Sequence, residues 1–416
     1  MNKVRELAKN MFREGWAVGE FQNGFRFLFH KNENRHAFKH GIQKVHTPFD
    51  LCEQMVSKVL EHTDMKDKRV LVIFNGEFLP VLIRDHGIQS QNITFVSDSE
   101  AESTYVRCIF PEVTIIEEYK PAKEYTKEEK VLSTVKNQFD VIFMNPPYSV
   151  KPRPEAKENI ILWDKFVQVA HSLTKDNGYL CNVHPTGWRE PYAVKFKPIN
   201  DLLLRNIQLE YLEVHNALDG KKTFGADTAY DWYIAKKCPP TRPTVIRYLD
   251  GTEDSVNLSK LPFIPNYMAK DVLALVAKDG EERVDLLYSR SAYEREKVSR
   301  TQSETHIHPI VDTIGTKDNL KLWWSSFNNE GHFGTPKVIF SNGRSSGTLC
   351  DLKGEYGMTQ FAYAIVDDPK NLPFIQKAIT SPKFREIMKA CALLGGNRYN
   401  HKVISVFRKD FWKEFI

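Results

Sequence analysis

The chain has 416 residues, a net charge of +5, a hydrophobic fraction of 41% and an aromatic fraction of 12%, a composition that builds packed cores and excludes a disordered polymer. No apolar run reaches the ~18 residues of a membrane span, and the opening MNKVRELAKNMFREGW is charged where a secretory signal is apolar. The six cysteines (Cys52, Cys108, Cys181, Cys238, Cys350, Cys391) show no C-x-x-C spacing, so neither zinc nor a disulfide framework is signalled, and a cytoplasmic protein without membrane contact is expected.

At this length two domains are expected rather than one. Residues 1–40 form an N-terminal extension without a readable pattern. From 41 to 240 strand-like and helix-like segments alternate. "LCEQMVSKVLEH" and "ILWDKFVQVAHSL" carry apolar residues at helical spacing, while "RVLVIF", "NITFVS", "VTIIEE", "FDVIFM", "GYLCNVH" and "TAYDWYIAKKC" read as strands. This rhythm predicts an α/β domain with a mostly parallel sheet, helices on both faces and ligands at the carboxyl ends of the strands.

"PPTRP", Pro239 to Pro243, interrupts regular structure and marks an expected boundary at 240/241. Residues 241–416 lose the βα rhythm and predict a second domain of mixed α and β character. Between Pro369 and Ile416 ten Lys/Arg stand against three Asp/Glu, with Phe374, Phe384, Tyr399, Phe407, Phe411 and Trp412 interleaved. That tail suits a solvated helical face or a polyanion-binding surface about equally.

The segment "FDVIFMNPPYSV" (Phe139 to Val150) joins a buried strand to a corner that Pro146 and Pro147 stiffen, because neither can donate to a ladder. An aromatic exocyclic amine is a weak nucleophile, since its lone pair is delocalised into the ring. A site that methylates such an amine must accept hydrogen bonds from both of its N–H bonds. Asn145 offers a side-chain carbonyl and Pro146 a backbone carbonyl, and the fixed proline φ holds both in advance. Tyr148 adds a flat surface for a base. Asn145, Pro146, Pro147 and Tyr148 are the expected catalytic group.

N-P-P-Y after a strand beginning F-D resembles motif IV of the S-adenosylmethionine-dependent amino-methyltransferases, above all the DNA adenine-N6 methyltransferases. The resemblance implies a Rossmann-like catalytic domain over 41–240, S-adenosylmethionine as cofactor, double-stranded DNA as partner and a C-terminal target-recognition domain over 241–416. The order of pieces resembles the γ arrangement of that family. "KVHTPFDLCEQMV" resembles the segment that opens the cofactor pocket, through Thr47 and Pro48; on local grounds Thr47 is equally an N-cap with Pro48 at the first helical position. "ITFVSDSE" resembles the second strand, whose terminal acid, Asp98 or Glu100, would bind ribose hydroxyls. In the long segment after motif IV, a helix stopped near "DNG" and a strand are followed by Trp188, in a loop suited to face the substrate. "TFGADTAYDWYIAKK" resembles the later hairpin strand.

The loop of the first strand departs from the family pattern. Val72 stands where an acid is expected and one glycine, Gly76, remains, with Glu77 suited to the cofactor's amino group and Phe78 matching the family's aromatic. The corner alone does not choose among DNA, RNA and glutamine side chains, and a methyltransferase-like DNA-binding protein without activity is the reading that Val72 favours. The second domain points to DNA. "SNGRSSGTLCD" and "LLGGNRYNHK" set Asn342, Arg344, Asn397, Arg398 and Lys402 among flexible glycines, residue types suited to base edges and phosphates, although each segment is also an ordinary glycine-rich turn. A duplex substrate requires the adenine to be flipped out.

Overall fold

The computed structural model describes residues 46–118, 122–136, 138–150, 159–192, 194–288, 297–315, 319–329, 332–341, 343, 347–393 and 399–416. The N-terminal extension lies outside them. Two compact units divide the chain: one reaches Trp188 and resumes over Val194–Leu261, the other comprises Arg189–Ala193 and Pro262–Ile416.

In the first unit the predicted alternation is realised. Helix α1 (Phe49–Leu60) buries Phe49, Cys52, Val56 and Val59 along one face, the spacing of an amphipathic helix. Then come β1 (Val70–Ile73), β2 (Ile93–Ser97), α2 (Glu100–Ile109), β3 (Thr114–Glu117), β4 (Phe139–Met144), α3 (Trp163–Leu173), β5 (Thr174–Pro185), β6 (Gln208–His215), α4 (Ala217–Phe224), β7 (Tyr230–Lys236), β8 (Thr244–Arg247) and β9 (Glu253–Val256). These nine strands form one sheet in the order β3-β2-β1-β4-β5-β7-β6-β8-β9. Strands β1 to β5 run parallel; β7 is antiparallel to both β5 and β6. The order reverses between β1 and β4, so their carboxyl ends flank a topological switch point, the place where open α/β sheets bind ligands.

Three sequence expectations are corrected here. Pro239–Pro243 is a connection within the first unit and not its end, because β8 returns to pair in parallel with β6 and the unit continues to Leu261. The "DNG" stretch does not separate helix from strand: β5 already begins at Thr174, and the register slips between its pairs with Phe139 and Val141, with Asn177 at φ 63°. The pattern of a bulge, one strand carrying extra residues against its partner, accounts for the turn residues inside the strand. Thr47 is not an N-cap: Pro48 occupies that position without a side-chain cap, and the Thr47 hydroxyl is committed elsewhere.

The second unit holds two four-stranded sheets and the paired helices Leu372–Thr380 and Pro382–Ala390. It is a mixed α and β body, as the lost rhythm predicts. Of the six aromatics in its basic tail, Phe384, Tyr399, Phe407 and Phe411 are core residues, while Phe374 and Trp412 stack on one another at 5.6 Å. The rings therefore serve packing. Among the tail's cations, Lys370, Lys383, Lys389, Lys409 and Lys413 pair with carboxylates of their own unit. Such exposed pairs are weak and can exchange partners with phosphate.

Burial pushes His62 and His171 in the first unit, and His332 and His401 in the second, below the ordinary histidine range. For a depressed histidine the unfolded chain binds the proton more tightly, so stability is intact above pH ~6.5 and falls as pH drops below it. The carboxylates with lowered pKa, such as Asp140, act only further down. Calorimetric Tm is expected to fall between about pH 7 and about pH 5.5; a level or rising Tm contradicts this.

Candidate active site

Asn145 leaves the sheet at its switch point. Met144 pairs with Ile73 of β1 on one side and with Asn182 of β5 on the other, so the corner stands at the carboxyl end of the central strands. It does not face bulk solvent: Asn145 is 2% exposed, and Pro146 and Pro147 are buried. The Asn145 backbone N–H donates to Asn75 Oδ1 at 2.8 Å, and its side-chain Nδ2 donates to Thr47 Oγ1 at 3.2 Å. The segment before α1, the loop after β1 and the corner after β4 are thus tied at one residue.

Tyr148 closes the corner. Its ring is half-buried, and its hydroxyl is buried with no hydrogen-bond partner among the described residues. Burial, with Tyr230 and Asp231 nearby, raises the phenol well above its ordinary range. The side chain is therefore neutral at physiological pH and acts as a flat surface, not as a base. Its carbonyl accepts from Leu162 N–H at 3.0 Å, and the next two residues pair antiparallel with Ile160–Ile161. Backbone bonds fix the corner on both flanks.

The loop after β1 keeps a sharp turn with few glycines. Phe74 sits at φ 61°, a left-handed conformation that costs a side-chain-bearing residue ~1–2 kcal/mol. Its buried ring lies edge-on to Phe166 at 5.5 Å and to Tyr125 at 6.2 Å, so packing offsets that cost. Val72 lies inside β1 in the core, where no ligand-facing acid belongs. Carboxylates reach the loop from elsewhere. Gly76 N–H donates to Glu102 Oε1 at 3.3 Å, and Ser97 Oγ donates to Glu102 Oε2 at 3.3 Å. Glu77 is buried, pairs one carboxylate oxygen with His46 Nδ1, and keeps its other oxygen without a hydrogen-bond partner among the described residues. Phe78 is buried against Phe143 at 5.2 Å. Asp98, partly exposed, directly follows β2, whereas Glu100 is exposed on the first turn of α2, where a helix N-terminus favours a carboxylate. Pro48 is half-buried beside Thr47.

The expected DNA contacts fare differently. Trp188 is fully buried, and its indole N–H donates to Asp231 Oδ2 at 3.0 Å. It is a core residue of the first unit and presents no stacking face. Lys402 Nζ lies 3.1 Å from Glu190 Oε2, and Asn400 donates to the other oxygen of that carboxylate at 2.8 Å. Lys402 is thus bound within its own unit. Asn342, Arg344, Asn397 and Arg398 lie outside the described residues. A cleft of about 800 Å³ opens between α1 and the β6–β9 edge of the sheet. Five carboxylates (Asp50, Glu61, Glu213, Asp219, Glu253) line it against Lys58, Lys222 and Arg247, a balance that does not suit a phosphate backbone.

Sequence reasoning missed Asn75, Glu102, Asn182 and Asp231, all buried. Their signal was a polar residue inside or just beyond an apolar run, as in "YLCNVH" and "YDWYIA". Buried polar groups persist where something hydrogen-bonds them.

The strand order and the polar cluster at the switch point define a Rossmann-like domain of the S-adenosylmethionine-dependent methyltransferase type. Within it, residues 88–224 match the family model of the Eco57I restriction-modification methylase, and that region of the chain belongs to this family. Three solved structures are similar. A protein described as the modification subunit of a type I restriction enzyme from Vibrio vulnificus YJ016 shares 14% identity over 56% of this chain and 52% of that one, with a TM-score of 0.40. The type IIG restriction endonuclease BpuSI shares 11% over 94% of this chain and 63% of that one, TM-score 0.44. The M protein of the type I restriction enzyme EcoKI shares 11% over 48% and 47%, TM-score 0.35. The chain spans about half the length of the solved structures it matches first. No curated protein matches it.

Proposed function

We propose that the first unit is a DNA adenine-N6 methyltransferase that acts on an adenine flipped out of double-stranded DNA, and that the second unit reads the duplex. The carrying observation is the buried corner, in which Asn145 is held through its backbone by Asn75 and through its side chain by Thr47. Such a corner is organised before substrate arrives. The side-chain carbonyl of Asn145 and the backbone carbonyl of Pro146 accept the two N6–H bonds. The nitrogen is thereby drawn toward tetrahedral geometry and its lone pair is freed for attack. Tyr148 supports the flat face of the base.

The residues at the switch point fit S-adenosylmethionine. A buried carboxylate oxygen of Glu77 without a partner suits an amino group, Asp98 beyond β2 suits ribose hydroxyls, and Gly76 permits close backbone approach. When bound, that cofactor supplies an electrophilic methyl group on its sulfonium. Thr47 acts one step back, by fixing the amide of Asn145. The setting consistent with this reading is the cytoplasm, where DNA and cofactor meet.

Incubation of the full chain with methyl-labelled cofactor and a mixture of duplex DNA, RNA and protein tests the reading. Label on adenine in duplex DNA is expected. Label on RNA or on glutamine reassigns the substrate, and DNA binding without any label leaves a methyltransferase-like binding protein. Tyr148→Ala is expected to cost ~1–3 kcal/mol of base stabilisation, seen as weaker fluorescence of 2-aminopurine at the target and slower turnover, with duplex affinity preserved.

A further inference from the structure

Asn75 has so far appeared only as a support for Asn145. It is fully buried two residues beyond β1, and its side-chain carbonyl accepts the Asn145 backbone N–H at 2.8 Å. A backbone N–H only donates, so this contact fixes which end of the Asn75 amide is oxygen and which is nitrogen. The nitrogen end, Nδ2, is buried and has no hydrogen-bond partner among the described residues. Two residues further on, Glu77 is buried and likewise keeps one carboxylate oxygen without a partner. Between them lies Gly76, whose own N–H is already given to Glu102.

One short loop at the switch point therefore holds an unspent neutral donor and an unspent anionic acceptor. Both are costly to leave unsatisfied in a protein interior, and together they ask for a ligand that carries an acceptor and a cationic donor. The carboxylate and ammonium of an α-amino acid meet that description. We infer that Asn75 is a positioning residue with two ends: Nδ2 receives the carboxylate of the amino-acid portion of the methyl donor, while Oδ1 holds the Asn145 backbone. Occupancy of the donor site and placement of the catalytic corner are then linked through one side chain. This inference rests on the methyltransferase reading and adds to it a named contact and a coupling.

Calorimetric titration of the full chain with S-adenosylmethionine and with its decarboxylated analogue tests the donor end. Wild type is expected to bind the analogue at least about tenfold more weakly, the loss of a hydrogen bond to a charged group. Asn75→Ala is expected to bind S-adenosylmethionine about as weakly as wild type binds the analogue, and to bind the two ligands alike. The oxygen end is tested by Asn75→Asp, which retains an acceptor for Asn145 N–H but no donor. At saturating donor its kcat should stay close to wild type while its KM for the donor rises, whereas Asn75→Ala should lose both. Wild type needs no refolding control, so equal binding of the two ligands by wild type overturns the inference even where a variant misfolds. An Asn75→Ala protein that keeps the wild-type preference overturns it as well. If wild type binds neither ligand at millimolar concentration, the methyltransferase reading falls with it; if wild type binds S-adenosylmethionine without regard to the carboxylate, only the role of Asn75 falls.

Discussion

Replacing Asn145 by alanine is expected to lower the turnover of adenine methylation by ~10²–10³-fold, the scale seen when one preorganised polar group facing a transition state is removed. The change deletes the side-chain carbonyl that accepts an N6–H, and it also releases the Thr47 hydroxyl from its partner. The backbone bond to Asn75 survives, so the corner itself should persist and duplex affinity should be little altered. Asn145→Asp keeps an oxygen acceptor and is expected to lie between wild type and alanine. Single-turnover rates with excess enzyme separate this loss from any change in binding. Near-normal turnover in Asn145→Ala would remove the residue from the reaction.

The second large effect is structural. Trp188→Ala should cost ~3–5 kcal/mol of stability, the range for deleting a large buried aromatic with incomplete collapse of its space. Trp188 is fully buried, lies edge-on to Tyr233 at 6.4 Å and donates to the buried Asp231. A shift of the urea midpoint with an unchanged m-value is the expected record. Duplex affinity of the folded fraction should match wild type. A variant of unchanged stability with weakened DNA binding would restore the substrate-facing role that the sequence suggested.

Much of the catalytic fold was legible because each strand is a short apolar run and each helix carries a repeating apolar face. The corner was legible because Asn, Pro and Tyr in that order have few other uses at a strand end. What escaped notice depended on contacts between distant segments. Thr47 and Asn145 are separated by 98 positions, and no local pattern reveals that the hydroxyl of one meets the amide of the other. Composition also misled: aromatics interleaved with cations near the C-terminus resemble a nucleic-acid surface, yet Phe384, Phe407 and Phe411 are core. A helix that buries one face and charges the other produces the same string of letters. The bulge in β5 was misread for a similar reason, since turn residues announce a bend without saying whether pairing resumes beyond it.

Phe74 changes how such loops should be recognised. Where a flexible residue would let the chain swing through this bend, an aromatic wedge among Tyr125 and Phe166 locks it, and straightening would pull the wedge out of the interior. The bend is consequently present in the empty protein and owes nothing to a visiting nucleotide. Glycine-counting rules will pass over chains built this way, although their curvature is intact.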